Sequence, residues 1–355
     1  SLNAEAQNVK KNMIISNDLK LSFSPSLTVG SHAGFVAPLS EIPNIVVNDN
    51  SSGNLLYYVS NNIVYDNANV AFINGTGVKS NSLAPNPVKA VFDNSGSCPK
   101  PGSSNHYLFT SIKDSTGMDS VLWHEINPVT KTVISKNNLI SNSGGAIEVV
   151  PSSVAGNFWL ILGKLNSVDV YPITSGGIGA PVNYALPAHY YSLSGSNPAG
   201  TWTNTSIPIG EYKGIRQVKR SFDCRKIAFA GRSTYVGNFN PTTGVLSSLE
   251  AVSARSNSVE WASGTNAFLY IVHQTYSGHG YTYLPFSTEV FQVALSMNNY
   301  HFQVYSNTTV DPTSGTPSLN GIVGLELGPD GKIYFYEGRK TLTGYYLNSL
   351  KAINN

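Results

Sequence analysis

Apolar and polar residues alternate with a period of two along most of this chain. In "GPDGKIYFYEG" (328–338), Ile333 and Phe335 fall on one face of an extended segment, and Tyr334 and Tyr336 on the other. Asp330-Gly331 ahead of that run is a hairpin signal, because glycine accepts a positive φ without a Cβ clash, and Pro329 pre-sets φ for the turn. The same plan of strand, polar turn, apolar strand, second turn and outer strand recurs. It is found in "GNLLYYVSNNIVYDNANVAFING" (53–75), in "NHYLFTSI" with "SVLWHEINPVTKTV" (105–133) and in "AIEVVPSSVAGNFWLILGKLNSVDVYPIT" (146–174). It returns in "GIRQVKRSFDCRKIAFAGRSTYVGNFNPTTGVLSSL" (214–249) and in "NSVEWASGTNAFLYIVHQTYSG" (257–278). The turns "SFDCRK", "ASGTNA" and "GPDGK" hold the same place in three of these units.

Units that begin roughly 40 to 55 residues apart, each with four short strands, predict a β-propeller. One such sheet cannot bury both its faces; stacking sheets in a ring does so and removes the open ends. The reading is all-β, with six or seven four-stranded blades, seven fitting slightly better. Residues 1–19 form an N-terminal arm and 20–355 a single propeller domain. A sandwich would need fewer and less regular units. The strands around Leu21–Val29 or Ile45–Val47 are expected to pair beside C-terminal strands of the unit holding Ile333–Tyr336 and close the ring.

Composition narrows the partners. Charged residues make up 12% of the chain, about half the usual share, and Gly, Ser, Asn and Thr replace them on the exposed strand faces. A net charge of +2 gives no case for nucleic acid, and "KGIRQVKR" (213–220) reads as a solvated strand face. No apolar run is long enough to span a membrane as a helix. The opening "SLNAEAQNVKKN" carries no signal-peptide pattern and suits either a processed terminus or an artificial boundary of the chain. Cys98 and Cys224 have no zinc-type spacing. They form either a disulfide or two buried thiols; the low-charge surface of an exported protein tilts the choice to the bridge.

Catalytic motifs are scarce. The chain has no nucleophile elbow, no H-E-x-x-H, no P-loop and no dinucleotide fingerprint, so the expectation is no catalytic residue, no metal and no cofactor. His273 and His279 lack a third ligand nearby. Scattered carboxylates include Asp119, Glu125 and Glu211. Three more, Glu148 in "AIEVV", Glu260 in "SVEWA" and Glu326 in "GLELG", fall in similar strand patterns. They are candidates for an acidic lining of the central channel, and solvated repeat positions would produce the same pattern. The segment "QTYSGHGYTYLPF" (274–286) offers Tyr276, His279, Tyr281, Tyr283 and Phe286 as ligand or partner contacts, or else as a plug against a neighbouring blade.

Four segments carry a resemblance: "GNLLYYVSNNIVYDNANVAFINGTG" (53–77), "PKPGSSNHYLFT" (99–110), "GLELGPDGKIYFYEG" (324–338) and "LNSLKAINN" (347–355). In that order, from about residue 40 onward, the chain resembles the propeller-like N-terminal region of secreted and cell-surface proteins of Bacteroidota. Those proteins are associated with type IX secretion and gliding. The family's second turn is commonly S-P-D-G-K, where this chain has "SFDCRK" at 221–226. The chain stops where the family usually continues, which suits a fragment or a stand-alone propeller. The resemblance implies a non-enzymatic binding or structural module at the cell surface, outside the cell or in the periplasm, with a protein partner in a surface or secretion complex. Two alternatives stand beside it. One is a carbohydrate-binding or carbohydrate-active propeller that takes a glycan; the other is an accessory or capping subunit of an outer-membrane translocon complex.

Overall fold

The structure is a computed structural model. It describes residues 12–15, 19–23, 27–31, 45–49, 52–60, 62–80, 95–113, 119–187, 214–231, 233–253, 256, 258–277, 284–297, 299–307, 319–328, 330–341 and 344–353. Among the described residues the fold is all-β, and the single helical element is a 3₁₀ turn at Leu295–Met297. β1 (Asn12–Ile15), β2 (Leu19–Phe23) and β3 (Leu27–Ser31) form a separate antiparallel sheet. β4 (Ile45–Asn48), β5 (Leu55–Ser60), β6 (Ile63–Tyr65) and β7 (Ala71–Thr76) make one meander. β8 (Ser95–Pro99), β9 (His106–Lys113), β10 (Asp119–Asn127) and β11 (Thr132–Ser141) make the next. A five-stranded sheet follows, from β12 (Ala146–Pro151), β13 (Phe158–Gly163), β14 (Ser167–Thr174), β15 (Gly177–Ile178) and β16 (Val182–Ala185). β17 (Gln217–Arg220), β18 (Lys226–Ala230), β19 (Thr234–Phe239) and β20 (Leu246–Ser253) form a four-stranded sheet. So do β21 (Ser258–Trp261), β22 (Phe268–Ser277), β23 (Leu284–Ala294) and β24 (Tyr300–Asn307). β25 (Leu319–Leu327), β26 (Ile333–Thr341) and β27 (Gly344–Ile353) close the chain as three strands.

The sheets stack face to face in chain order, the arrangement of a propeller. Tyr57, Val64 and Phe72 share a core with Leu108, Ile126 and Val133. Phe109 and Val121 pack on Ile147 and Leu160, and Ile161 and Val170 on Ile227 and Phe229. Ala228 and Val236 meet Trp261 and Ile271, and Tyr270 and Val272 meet Leu325 and Phe335. β5, β13 and β18 are therefore apolar on both faces, as a strand covered on both sides must be. Gly96 on β8 allows a close approach between two of these sheets: a Cβ there would lie 2.7 Å from the Val149 side chain on β12.

Two expectations about the ring are corrected. Among the described residues four sheets carry four or more strands, in place of six or seven separate four-stranded blades. The cause is local. β7 pairs with β11 in parallel, Thr132 opposite Ile73, and fuses two meanders into one eight-stranded sheet, while β25–β27 and β1–β3 have three strands each. Among the described residues the N-terminal strands also do not pair with any strand of the unit holding Ile333–Tyr336. Leu21 pairs with Met13 and Val29, Ile45–Val47 with β5, and β26 lies between β25 and β27. Short turns bring those neighbours together at far lower loop-closure cost than a partner some 300 residues away.

The conserved feature of the repeat is its first hairpin. The turns between β4 and β5, β8 and β9, β12 and β13, β17 and β18, β21 and β22, and β25 and β26 each contain one residue with positive φ. These are Gly53, Gly102, Gly156, Cys224, Gly264 and Gly331, with φ of 70°, 74°, 77°, 59°, 69° and 81°. Asp223 Oδ1 accepts the Arg225 N–H (3.0 Å), as Asp330 Oδ1 accepts the Lys332 N–H (3.3 Å), so "SFDCRK" builds the same turn as "GPDGK". Cysteine fills a site that otherwise takes glycine. Its thiol is buried in the core holding Phe229, whereas Cys98 is buried one interface away with Phe109. Both cysteines are free thiols, which overturns the expected disulfide: the two lie in different cores.

Candidate functional site: a charged cluster on the inner strands

The first strand of each hairpin lies nearest the centre of the stack, and β8, β12, β17, β21 and β25 follow one another there. These strands are not laddered together by backbone. Side chains clasp them instead. Gln217 Oε1 accepts the Val259 N–H (2.9 Å) and the Ser258 hydroxyl (2.7 Å). Ser258 Oγ accepts the Leu325 N–H (3.0 Å), and Glu260 Oε2 accepts the Leu327 N–H (3.2 Å). The Trp261 indole N–H donates to the Lys219 carbonyl (3.0 Å). Each clasp satisfies an inward N–H that would otherwise be a buried orphan.

The turns are opened by the N–H groups of Asp49, Lys100, Ser152, Ser221, Ala262 and Gly328. Two residues before each stand Val47, Cys98, Val150, Lys219, Glu260 and Glu326. The equivalent position is thus apolar in the first three hairpins and charged in the last three. Lys219 Nζ lies 2.8 Å from Glu326 Oε2 and 3.6 Å from Glu260 Oε2. One strand position on, Arg220 Nε reaches Glu148 Oε1 on β12 (3.1 Å), and its Nη1 donates to Cys224 Sγ (3.3 Å). Burial works against the Arg220 charge, but Cys224 and Glu148 outweigh it and raise the guanidinium above its ordinary value. Burial likewise lifts the Cys224 thiol, with Arg220 pulling the other way. The Lys219 and Glu260 side chains are 6% and 4% exposed, whereas those of Glu326 and Glu148 are 19% and 18% exposed. Glu260 is a structural clasp. Glu148 and Glu326 are the carboxylates of the cluster that reach solvent, and the Arg220 side chain is 18% exposed beside Glu148.

Sequence reasoning placed some of this and missed the rest. Glu260 and Glu326 occupy equivalent positions, but Glu148 sits four residues before its turn, so the three do not make one acidic ring. "KGIRQVKR" is not a solvated face: Gln217, Val218 and Lys219 are buried, and two of its four cations, Lys219 and Arg220, are the counter-ions of the cluster. The alternation of Val218 with charged neighbours in a strand register matching "SVEW" was the available signal. Glu125 belongs to a separate group, where Lys100 Nζ (2.9 Å) and Asn105 Nδ2 (2.5 Å) donate to its Oε1. Burial raises the Glu125 carboxyl, and those bonds more than reverse it, leaving it below the usual value. Of the aromatic segment, His279, Tyr281 and Tyr283 lie outside the described residues. Tyr276 and Phe286 fall on β22 and β23, which extend further into the segment than a long loop would allow; Tyr276 pairs with Pro285, and their side chains lie outside the described residues. His273 is buried with Nε2 3.1 Å from Ser253 Oγ. Among the described residues no three His, Cys, Asp or Glu side chains gather as a metal site.

No family model matches the sequence, and no curated protein does. Solved structures share similarity with it at low identity. A candidate 6-phosphogluconolactonase from Bacteroides uniformis is 14% identical over 87% of this chain and 81% of its own, with a TM-score of 0.43. A GH43 β-1,3-galactosidase bound to galactodeoxynojirimycin is 11% identical over 72% of this chain and 90% of its own, at 0.39. The Dos1 propeller is 12% identical over 93% of this chain and 65% of its own, also at 0.39. The expectation of a non-enzyme is corrected here, because two of these three chains carry enzyme names. The likeness is too low to carry an activity to this chain.

Proposed function

We propose that this chain is a carbohydrate-binding or carbohydrate-active propeller whose ligand meets the inner-strand cluster. The observation that supports the reading is the pair of partly exposed carboxylates, Glu148 and Glu326, each tethered to a cation on β17. A tethered carboxylate accepts hydroxyl donors without first having to be ordered, which suits polyhydroxylated ligands better than apolar ones. Export to the cell surface belongs to the same proposal, supported by the neutral, hydroxyl- and amide-rich composition.

A glycan array and a release assay over a panel of oligosaccharides test it, with wild type beside Glu326→Gln and Glu148→Gln. The expected result is retention of a defined glycan class, weakened about tenfold or more in at least one variant of unchanged melting temperature. The release assay then separates a binder from a hydrolase. A wild-type protein that retains and cleaves nothing, or variants that bind as wild type does, would overturn the reading.

A further inference from the structure

The middle of the eight-stranded sheet, where the two meanders join, carries a surface remote in strand order from the inner strands β4 and β8. β7 and β11 run parallel there, and the Ile73 N–H donates to the Lys131 carbonyl (2.9 Å). Phe72 and Val133 turn into the core between the two meanders. Strand alternation puts Ile73 and Ile134 on the opposite face, and both are more than half exposed. Val70 and Val129, in the turns that lead into the two strands, are 59% and 76% exposed. Those turns are held together by Lys131 Nζ on Asp66 (2.5 Å). At the other end of the seam, Lys136 Nζ donates to the carbonyls of Asn74 (3.1 Å) and Thr76 (2.6 Å). Close by, the Lys79 N–H donates to Asn137 Oδ1 (2.9 Å). Among the described residues neither Lys79 nor Lys136 has a carboxylate partner.

Four exposed aliphatic side chains in one place on a hydroxyl- and amide-rich surface mark a contact site. The two lysines at one end fix the sign of what it meets. We propose that the β7–β11 seam docks an extended segment of a partner protein in which aliphatic residues are followed by carboxylates. The aliphatic part lies on Val70, Ile73, Val129 and Ile134, and the carboxylates meet Lys79 and Lys136. An anionic lipid surface has the same sign. The layout argues against it: Lys131, at the Val70 and Val129 end, is already neutralised by Asp66, and the lysines without a carboxylate partner among the described residues sit at the other end, whereas an interfacial anchor surrounds its apolar residues with basic ones.

The test is fluorescence anisotropy on the full chain with short labelled peptides that join a valine-isoleucine half to a glutamate half, in both chain orders. Lysine-for-glutamate versions serve as controls. At low salt one acidic peptide should bind saturably and its lysine version should not. Lys79→Gln and Ile134→Thr, both surface changes checked by melting temperature, should each weaken binding about tenfold. Absence of saturable binding, or binding unchanged in both variants, would sink the proposal. So would co-sedimentation with phosphatidylserine vesicles while every peptide stays free, which would make the seam a lipid surface.

Discussion

His124 shows how one residue is fixed by its surroundings. Its ring is fully buried on β10; Nδ1 accepts the Asn137 N–H (3.1 Å), so Nε2 carries the proton and faces Thr110 Oγ1 (2.9 Å). The Thr110 hydroxyl passes the chain on to the Lys79 carbonyl (2.7 Å). Burial, helped by the Lys136 charge, pushes its pKa from 6.5 to about 3. His273 falls to about 3 through burial and the neighbouring His301. The unfolded chain therefore takes up protons that the folded chain refuses. Stability is complete above the unfolded histidine value and is lost as pH falls from there toward 3. Each histidine should contribute about 1.4 kcal/mol per pH unit in that window. Urea melts at about pH 7, 6 and 5 should show His124→Gln with a shallower loss than wild type, by about that amount per unit. The lowered carboxyls of Asp66, Glu125 and Asp223 also lose stability as pH falls toward their unfolded values, but equally in wild type and variant, so the difference between the two proteins reads His124.

At the scale of the element, the hairpin and the clasp carry the stability. Phe335 is buried against Tyr305 (ring centroids 5.0 Å apart), whereas the Lys332 side chain is 47% exposed beside the turn. Phe335→Ala should cost about 3–5 kcal/mol through the cavity it leaves. Lys332→Ala should cost less than about 0.5 kcal/mol, and equal denaturant midpoints for the two would refute the placement of β26. The clasp has its own test. Lys219→Met withdraws the cation from Glu260 and Glu326 and should cost about 3–5 kcal/mol. Adding Glu260→Gln to that variant should cost less than it does in wild type, because the carboxylate it removes has already lost this cation. Strict additivity would show that Lys219 and Glu260 act independently.

The described residues form a stack in which successive sheets share cores: the β8–β11 part of the long sheet with β12–β15, that sheet with β17–β20, then β17–β20 with β21–β24, and β21–β24 with β25–β27. Trp123, Trp159 and Trp261 pack at three different interfaces of that stack. If the shared cores make it cooperative, tryptophan fluorescence and far-ultraviolet circular dichroism should give coincident denaturant midpoints. Separate midpoints would mean that the sheets unfold one at a time, as stacked repeats with weak interfaces do.

The sequence alone determined what rests on neighbours in the chain. Period-two alternation gave strands, and turn residues gave hairpins at 221–226, 262–267 and 328–332, because both depend on a few adjacent residues. Even the missing glycine in "SFDCRK" was readable as a turn, although only the structure shows that Cys224 takes the left-handed conformation there. Tertiary structure decided whatever depends on the register between distant strands. It brought Lys219 to Glu326 across 107 residues and set Cys98 and Cys224 in separate cores. It also joined β7 to β11, so that two meanders became one sheet. A two-residue period is the same in every sheet. It says which faces are apolar, and it cannot say which sheet each face will meet.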